Sequence, residues 1–183
     1  LQDALPPVPF AEIRASIEQA LGKPIDELFA SIEEDPVGAA SIAQVHRAVT
    51  TDGRKVAVKV LRPGVEEEFA KAIETYEWAA AQAESFGGEI ARLRPRLVIA
   101  TFRQWTAREL DLRREAASAS ELAEAMVAEP GYEVPAIDWQ RTARRVMTLE
   151  WIDGIKLSRR DELIAAGHDV KALASRLVRA FLR

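Results

Sequence analysis

Along residues 56–61 side chains alternate between two faces with a period of two, the spacing of a half-buried strand. Val56, Val58 and Val60 share one face of the second run, and Ala57, Lys59 and Leu61 share the other. Residues 43–50 form a first run, and Thr51, Asp52 and Gly53 supply the turn between the two. Elsewhere the period lengthens. Ile13, Ile17, Ala20 and Leu21 make one stripe, so a helix is expected over 10–21, stopped by Gly22. The prolines between Leu5 and Pro9 make the lead-in extended. Pro24 opens a short helix that ends near Phe29, and residues 31–35 read as a strand entering a loop of small residues, 36–41.

A long helix is expected over 65–86. Val65, Phe69, Ala72, Ile73, Tyr76 and Ala83 lie on its inner face, and Glu66, Glu67 and Glu68 sit in the first turn, where the helix dipole favours acids. Gly87 and Gly88 break it, and one continuous helix follows over 95–127. After Glu129, Pro130 and Gly131 come two strands, 133–139 and 145–152, and then helices over 161–166 and 170–182 separated by Gly167. With no internal repeat, this order predicts an α+β fold around a five-stranded antiparallel sheet.

Two features break the pattern. Lys59 stands between Ala57 and Leu61 on a strand that otherwise reads as buried. Two readings stand: a stem that packs while the ammonium reaches water, or a phosphate-binding lysine of the kind found in the V-A-I-K strand of protein kinases, here Val56-Ala57-Val58-Lys59. On the 95–127 helix, Val98, Phe102 and Trp105 lead at steps of three and four to Glu109, Leu112 and Ala116, while Glu115 continues a second stripe with Ala119, Leu122 and Met126. Both glutamates therefore sit on faces that look buried, where a carboxylate needs a cation. A continuous helix sets Glu115 about 120° and Asp111 about 200° from Glu109, so one cation cannot easily serve all three. Arg113 and Arg114 pairing with these acids on a solvated face is one outcome, and Lys59 as the partner of one of them is the other.

Composition narrows the function classes. The chain has 183 residues, 48% hydrophobic and 30% charged, with a net charge of -4, so no global basic field argues for nucleic acid. It has no Cys, and its two histidines, His46 and His168, have no neighbours at ligand spacing, so no zinc site is expected. No run is long enough for a membrane span. The chain opens on Leu1 and closes inside a helical pattern, so a fragment is expected.

These residues resemble the UbiB atypical kinase-like family of ubiquinone biosynthesis. The likeness is carried by Pro36-Val37-Gly38-Ala39-Ala40-Ser41-Ile42-Ala43-Gln44-Val45-His46-Arg47-Ala48, by Val56-Ala57-Val58-Lys59-Val60, by Arg62-Pro63-Gly64-Val65 and by Glu109-Leu110-Asp111 with Arg114-Glu115-Ala116. Leu1-Gln2-Asp3, with Pro6-Pro7 and Pro9-Phe10, resembles the family's run before its first lobe, and Glu150-Trp151-Ile152-Asp153-Gly154 its hinge. The resemblance implies a kinase-like N-lobe with inserted long helices over 31–152, a helical lead-in over 1–30, and the hinge with the start of a C-lobe over 153–183.

The same resemblance implies an ATP-binding lobe of an atypical kinase or ATPase. The family's alanine-rich loop replaces the glycine-rich one, which gives nucleotide contacts to Val37, Gly38, Ala39, Ala40 and Ser41, with Val45 and Ala57 beside them. Gly38 departs from the commoner all-Ala form. Lys59 is the implied phosphate-binding residue and Glu115 its partner; Leu149 is the implied gatekeeper, with Glu150 and Ile152 facing adenine. Glu109 and Asp111 match an E-x-D element that engages an N-terminal extension bearing K-x-G-Q. That extension is expected before Leu1, and the H-x-D-x-H-P-G-N loop with the Mg²⁺-binding Asp after Arg183, so residues 1–183 alone are expected to be inactive and to hold no metal. The implied ligands are ATP or ADP with Mg²⁺. The implied partners are isoprenoid lipids or quinone-biosynthesis proteins, and the implied location is the cytoplasm, peripheral at the inner membrane. The other class of function is a non-catalytic scaffold with nucleotide as a switch, for which the Phe69-Ile73-Tyr76 helix and Trp78 offer apolar surface.

Overall fold

A computed structural model describes residues 6–129 and 131–181. The lead-in resemblance at residues 1–3, Leu5, Pro130 and the last residue of the expected final helix, Leu182, lie outside them. The chain forms helices α1 (Phe10–Leu21) and α2 (Ile25–Leu28), then strands β1 (Phe29–Ile32), β2 (Gly38–Ala39), β3 (Ala43–Thr50) and β4 (Lys55–Leu61). Helices α3 (Val65–Ser85), α4 (Gly88–Arg92), α5 (Pro95–Glu109) and α6 (Leu112–Met126) follow, then β5 (Val146–Glu150), α7 (Arg160–Ala165) and α8 (Val170–Phe181). The sheet is antiparallel with the order β1-β3-β4-β5, and β2 pairs with β3 beside β1.

The alternation in β4 divides the interior into two cores. Val56, Val58 and Val60 face one side and pack with Ile13 and Ile17 of α1 and with Ile25 and Leu28 of α2. On the other side Leu61, Val65, Leu110, Leu112, Ala116 and Met147 close together. The first two helices therefore share a core with the sheet. A buried ion cluster ties its edge: Arg141 donates to Leu28 O at 2.8 Å and to Asp138 Oδ2 at 2.8 Å, and Arg54 reaches the same oxygen at 2.9 Å. At the other end Glu66 of α3 pairs with Arg144 at 3.2 Å and Arg145 at 3.5 Å, fixing the helix start to the approach to β5.

Four expectations change. The strand expected over 133–139 is reduced to a single bridge from Ile137 to Leu149. Pro135 removes a ladder donor there, and Asp138 turns the chain by capping a 3-10 turn at Trp139–Arg141. The fifth strand is instead β2, drawn from the segment expected to be a loop. The strand expected over 31–35 begins earlier, at Phe29, with an irregularity between Phe29 and Ser31. The continuous helix over 95–127 is broken at Leu110–Asp111, so the angular argument across it does not hold. Finally, Tyr76, Val98, Phe102 and Trp105 are exposed. The α3–α5 hairpin packs through one narrow face, including an Arg103–Glu77 pair at 2.7 Å, and no third layer covers its flank among the described residues.

Candidate functional site

The site is built on the sheet face opposite α1. In the β3–β4–β5 ladder, Val45 lies opposite Lys59 and Lys59 opposite Met147; Arg47 lies opposite Ala57 and Ala57 opposite Leu149. Directly opposed residues of antiparallel strands share a face, so Val45, Ala57, Lys59 and Leu149 are neighbours. Lys59 crosses from this face to α6, where Nζ donates to both carboxylate oxygens of Glu115, at 2.7 and 2.6 Å. The pair is open to solvent, with the lysine side chain 25% and the glutamate side chain 49% exposed.

Glu115 reaches Lys59 because α6 begins where it does. Asp111 caps the helix, accepting from the Arg113 backbone N–H at 3.2 Å. Leu112 N–H donates to Arg144 O at 2.9 Å, and Leu112 and Ala116 bury in the second core. One turn inside this anchored start stands Glu115. The cap is itself paired, since Arg113 Nε and Nη2 grip the Asp111 carboxylate at 2.8 and 2.7 Å. That guanidinium holds the Asp111 carboxyl below its usual range. Of the two partners expected for the glutamates, Lys59 is the one that takes Glu115, and Arg113 turns instead to Asp111. Glu109 ends α5 exposed, and the three acids line one shallow depression with Arg108 and Arg114. Glu109 also borders an apolar cleft of about 440 Å³ lined by Ile42, Phe69, Val98, Phe102 and Trp105.

Residues 36–41 are a hairpin flank more than an open loop. Val37 N–H donates to Val45 O at 2.8 Å, Gly38 and Ala39 pair with Val45 and Gln44, and Ala40 N–H donates to Ala43 O at 2.9 Å. Gly38 lies in the extended strand, Ala39 is buried, and Ala40 and Ser41 are exposed at the tip. The sequence reading passed over what fixes this hairpin from behind. Gln44 accepts from Val8 N–H and donates to Val8 O at 3.4 Å, holding the lead-in against β3. His46 Nδ1 donates to Glu33 O at 2.9 Å, which leaves Nε2 to accept from Gln44 at 3.4 Å. Burial pushes the His46 imidazole pKa down, against the opposing pull of the Glu33 carbonyl. The signal was present, since Gln44, His46 and Thr50 occupy the fully inward positions of an alternating strand.

At the end of β5, Leu149 packs against the second core, while Glu150 and Ile152 are exposed. Glu150 N–H is committed to Ala136 O at 2.8 Å and Trp151 N–H to Lys55 O at 3.1 Å. The Arg47 guanidinium lies 4.8 Å from the centre of the Trp151 ring, a contact not anticipated from sequence. Strand residues flanking Arg47 and Trp151 were singled out, but a cation–π contact between strands has no local signature.

A five-stranded antiparallel sheet, a lysine in its middle strand bridged to a glutamate on a helix, and a hairpin of small residues beside them define a protein-kinase-like N-lobe. The model of the ABC1 atypical kinase-like domain matches residues 1–183, and the chain belongs to that family. It is 40% identical over 181 residues to the probable protein kinase UbiB of Marinobacter nauticus, covering 99% of this chain and 33% of that protein. A protein of the same description from Xylella fastidiosa is likewise 40% identical over 181 residues. Among solved structures, a complex of Rv3197 with erythromycin from Mycobacterium tuberculosis superposes with a TM-score of 0.70 at 32% identity, over 84% of this chain and 38% of that one. The chain thus spans about a third of the length of the curated relatives it matches.

Proposed function

We propose that this chain is the nucleotide-binding lobe of a UbiB-like atypical kinase or ATPase that supports ubiquinone biosynthesis. The observation that carries the reading is the Lys59–Glu115 bridge, at 2.6 Å, on the sheet face next to β2. In this reading the Lys59 ammonium binds nucleotide phosphate and Glu115 holds it in place. The backbone from Val37 to Ser41 covers the phosphates, and Val45, Ala57 and Leu149 supply the apolar walls for the base. Glu150 and Ile152 offer backbone groups to adenine; with the Glu150 N–H committed to Ala136, its carbonyl is the group assigned to that task. Glu109 and Asp111 serve as the E-x-D element.

A bound Mg-ATP would bring its own cation to neutralise phosphate charge, with Lys59 holding the phosphates beside it. Among the described residues no three His, Asp or Glu side chains lie close enough to hold a metal. By the resemblance to the UbiB family, the metal ligands and catalytic base are assigned to the segment expected after Arg183. No described helix is long and apolar enough to cross a membrane, and the membrane role proposed is peripheral.

The test is calorimetric titration of Mg-ATP into the full-length protein and its Lys59→Ala variant. A loss of about tenfold or more in affinity or turnover is expected, the scale of one charge-assisted phosphate contact. Unchanged affinity would remove the phosphate role from Lys59.

A further inference from the structure

The far end of the α3–α5 hairpin differs from the rest of the surface. Within twelve residues, 86–97, it exposes Phe86 at 81%, Leu93 at 75%, Leu97 at 56% and Ile90 at 47%. Between them stand Arg92, Arg94 and Arg96, whose guanidiniums make no hydrogen bond or ion pair among the described residues, and the one acid in the segment is Glu89. A chain of net charge -4 therefore carries here a local basic, apolar knob. The backbone bends sharply to present it: Gly87 and Gly88 have φ of 69° and 65°, and Arg94, at 49°, is the one non-glycine in the left-handed region among the described residues.

Burying four large apolar side chains requires an apolar neighbour, and monomer surfaces rarely leave them so concentrated. A protein partner would satisfy them, but three unpaired guanidiniums interleaved with them select a partner dense in anions. Arginine forks match phosphate oxygens, and apolar groups ringed by basic ones fit the headgroup boundary of an anionic bilayer. The geometry points to a lipid-docking tip: we propose that residues 86–97 seat on an anionic bilayer, with Phe86, Ile90, Leu93 and Leu97 entering the headgroup boundary and Arg92, Arg94 and Arg96 on lipid phosphates. The 21 residues of α3 span about 31 Å, and the tip follows directly on their C-terminal end. This inference rests on the peripheral-membrane reading above and names the surface that performs it.

The experiment is co-sedimentation of the 183-residue chain with vesicles of phosphatidylcholine alone or with phosphatidylglycerol added. Wild type should bind the anionic vesicles about tenfold or more tightly than the neutral ones, and binding should fall as salt rises. Phe86→Asp with Leu93→Asp should abolish it, and Arg92→Gln, Arg94→Gln and Arg96→Gln together should reduce it to the neutral-vesicle level. Circular dichroism reports whether each variant folds, and Leu93→Ser replaces any Asp variant that does not. Wild-type binding that survives both variants overturns the tip while leaving peripheral association standing. No binding by the wild-type chain also overturns the tip, and fractionation of full-length protein in cells then decides the membrane reading separately. Self-association without lipid that Leu93→Asp abolishes would make the knob a protein contact and overturn the proposal.

Discussion

The sheet face and the hairpin tip solve opposite problems with similar residues. On the sheet side, arginines are consumed within the fold: Arg141 and Arg54 close on Asp138, and Arg113 grips the cap of α6. At the tip, Arg92, Arg94 and Arg96 have no ion pair among the described residues, and the aliphatic residues beside them lie open. Paired charge and buried apolar surface mark what the lobe needs to fold. Unpaired charge and open apolar surface mark what it presents to something else. Substitutions should therefore cost stability on one side and none on the other.

The largest expected effect is at Asp138. Replacing it by Ala removes the buried carboxylate of Arg141 and leaves the exposed Asp52, at 3.6 Å, as its remaining acid, and a loss of about 3 kcal/mol is expected, the low end for broken buried pairs. Urea denaturation measures it, and a loss under about 1 kcal/mol would mean that the cluster is solvated and that the contrast is false. Asp111→Ala comes next. Removing an N-cap costs about 1 kcal/mol, and because the cap sets the position of Glu115, nucleotide affinity of the full-length protein should fall with it. Asp111→Asn, which retains the cap, should recover most of the stability.

A third test uses pH on the sheet side alone. The folded chain holds the His46 pKa below its ordinary value. As pH drops below about 6.5 the unfolded state takes up a proton that the folded state refuses. The stability present at neutral pH should therefore decline on acidification, and melting temperatures at about pH 7.5 and about pH 5.5 should differ less in His46→Gln than in wild type. The smallest effect is expected at the tip. Leu93→Asp should move stability by no more than about 0.5 kcal/mol, whatever it does to vesicle binding. A larger destabilisation would show that Leu93 is covered in solution.

The bounds of α1, β3 and β4 were legible because strict periodicity ran into glycine or a turn. Lys59 was legible as a charge on the sheet, whereas Glu115, expected on a buried face, is exposed on α6 and is drawn to the sheet only by its bond to Lys59. The break between α5 and α6 was not read, although Leu110 and Leu112 are both buried in one core while two positions apart. A continuous helix would set them about 200° apart, so the phase slip was written in the pattern. An aspartate in mid-helix looks like any surface acid until its capping bond is seen. The exposed stripe of Val98, Phe102 and Trp105 failed for a different reason. Periodicity tells which residues share a face, and it does not tell whether another layer exists to cover that face.

The Lys59 amine can also be read as a count of protons. An ammonium carries three N–H bonds, and Glu115 receives two of them, one on each oxygen. One valence remains, on an atom that the sheet and α6 have already fixed in position. A third group can join this centre without evicting the second. An arginine held in the same two-pronged way would keep three of its five N–H groups, all in the plane of its fork, whereas the one that the lysine keeps is a tetrahedral corner.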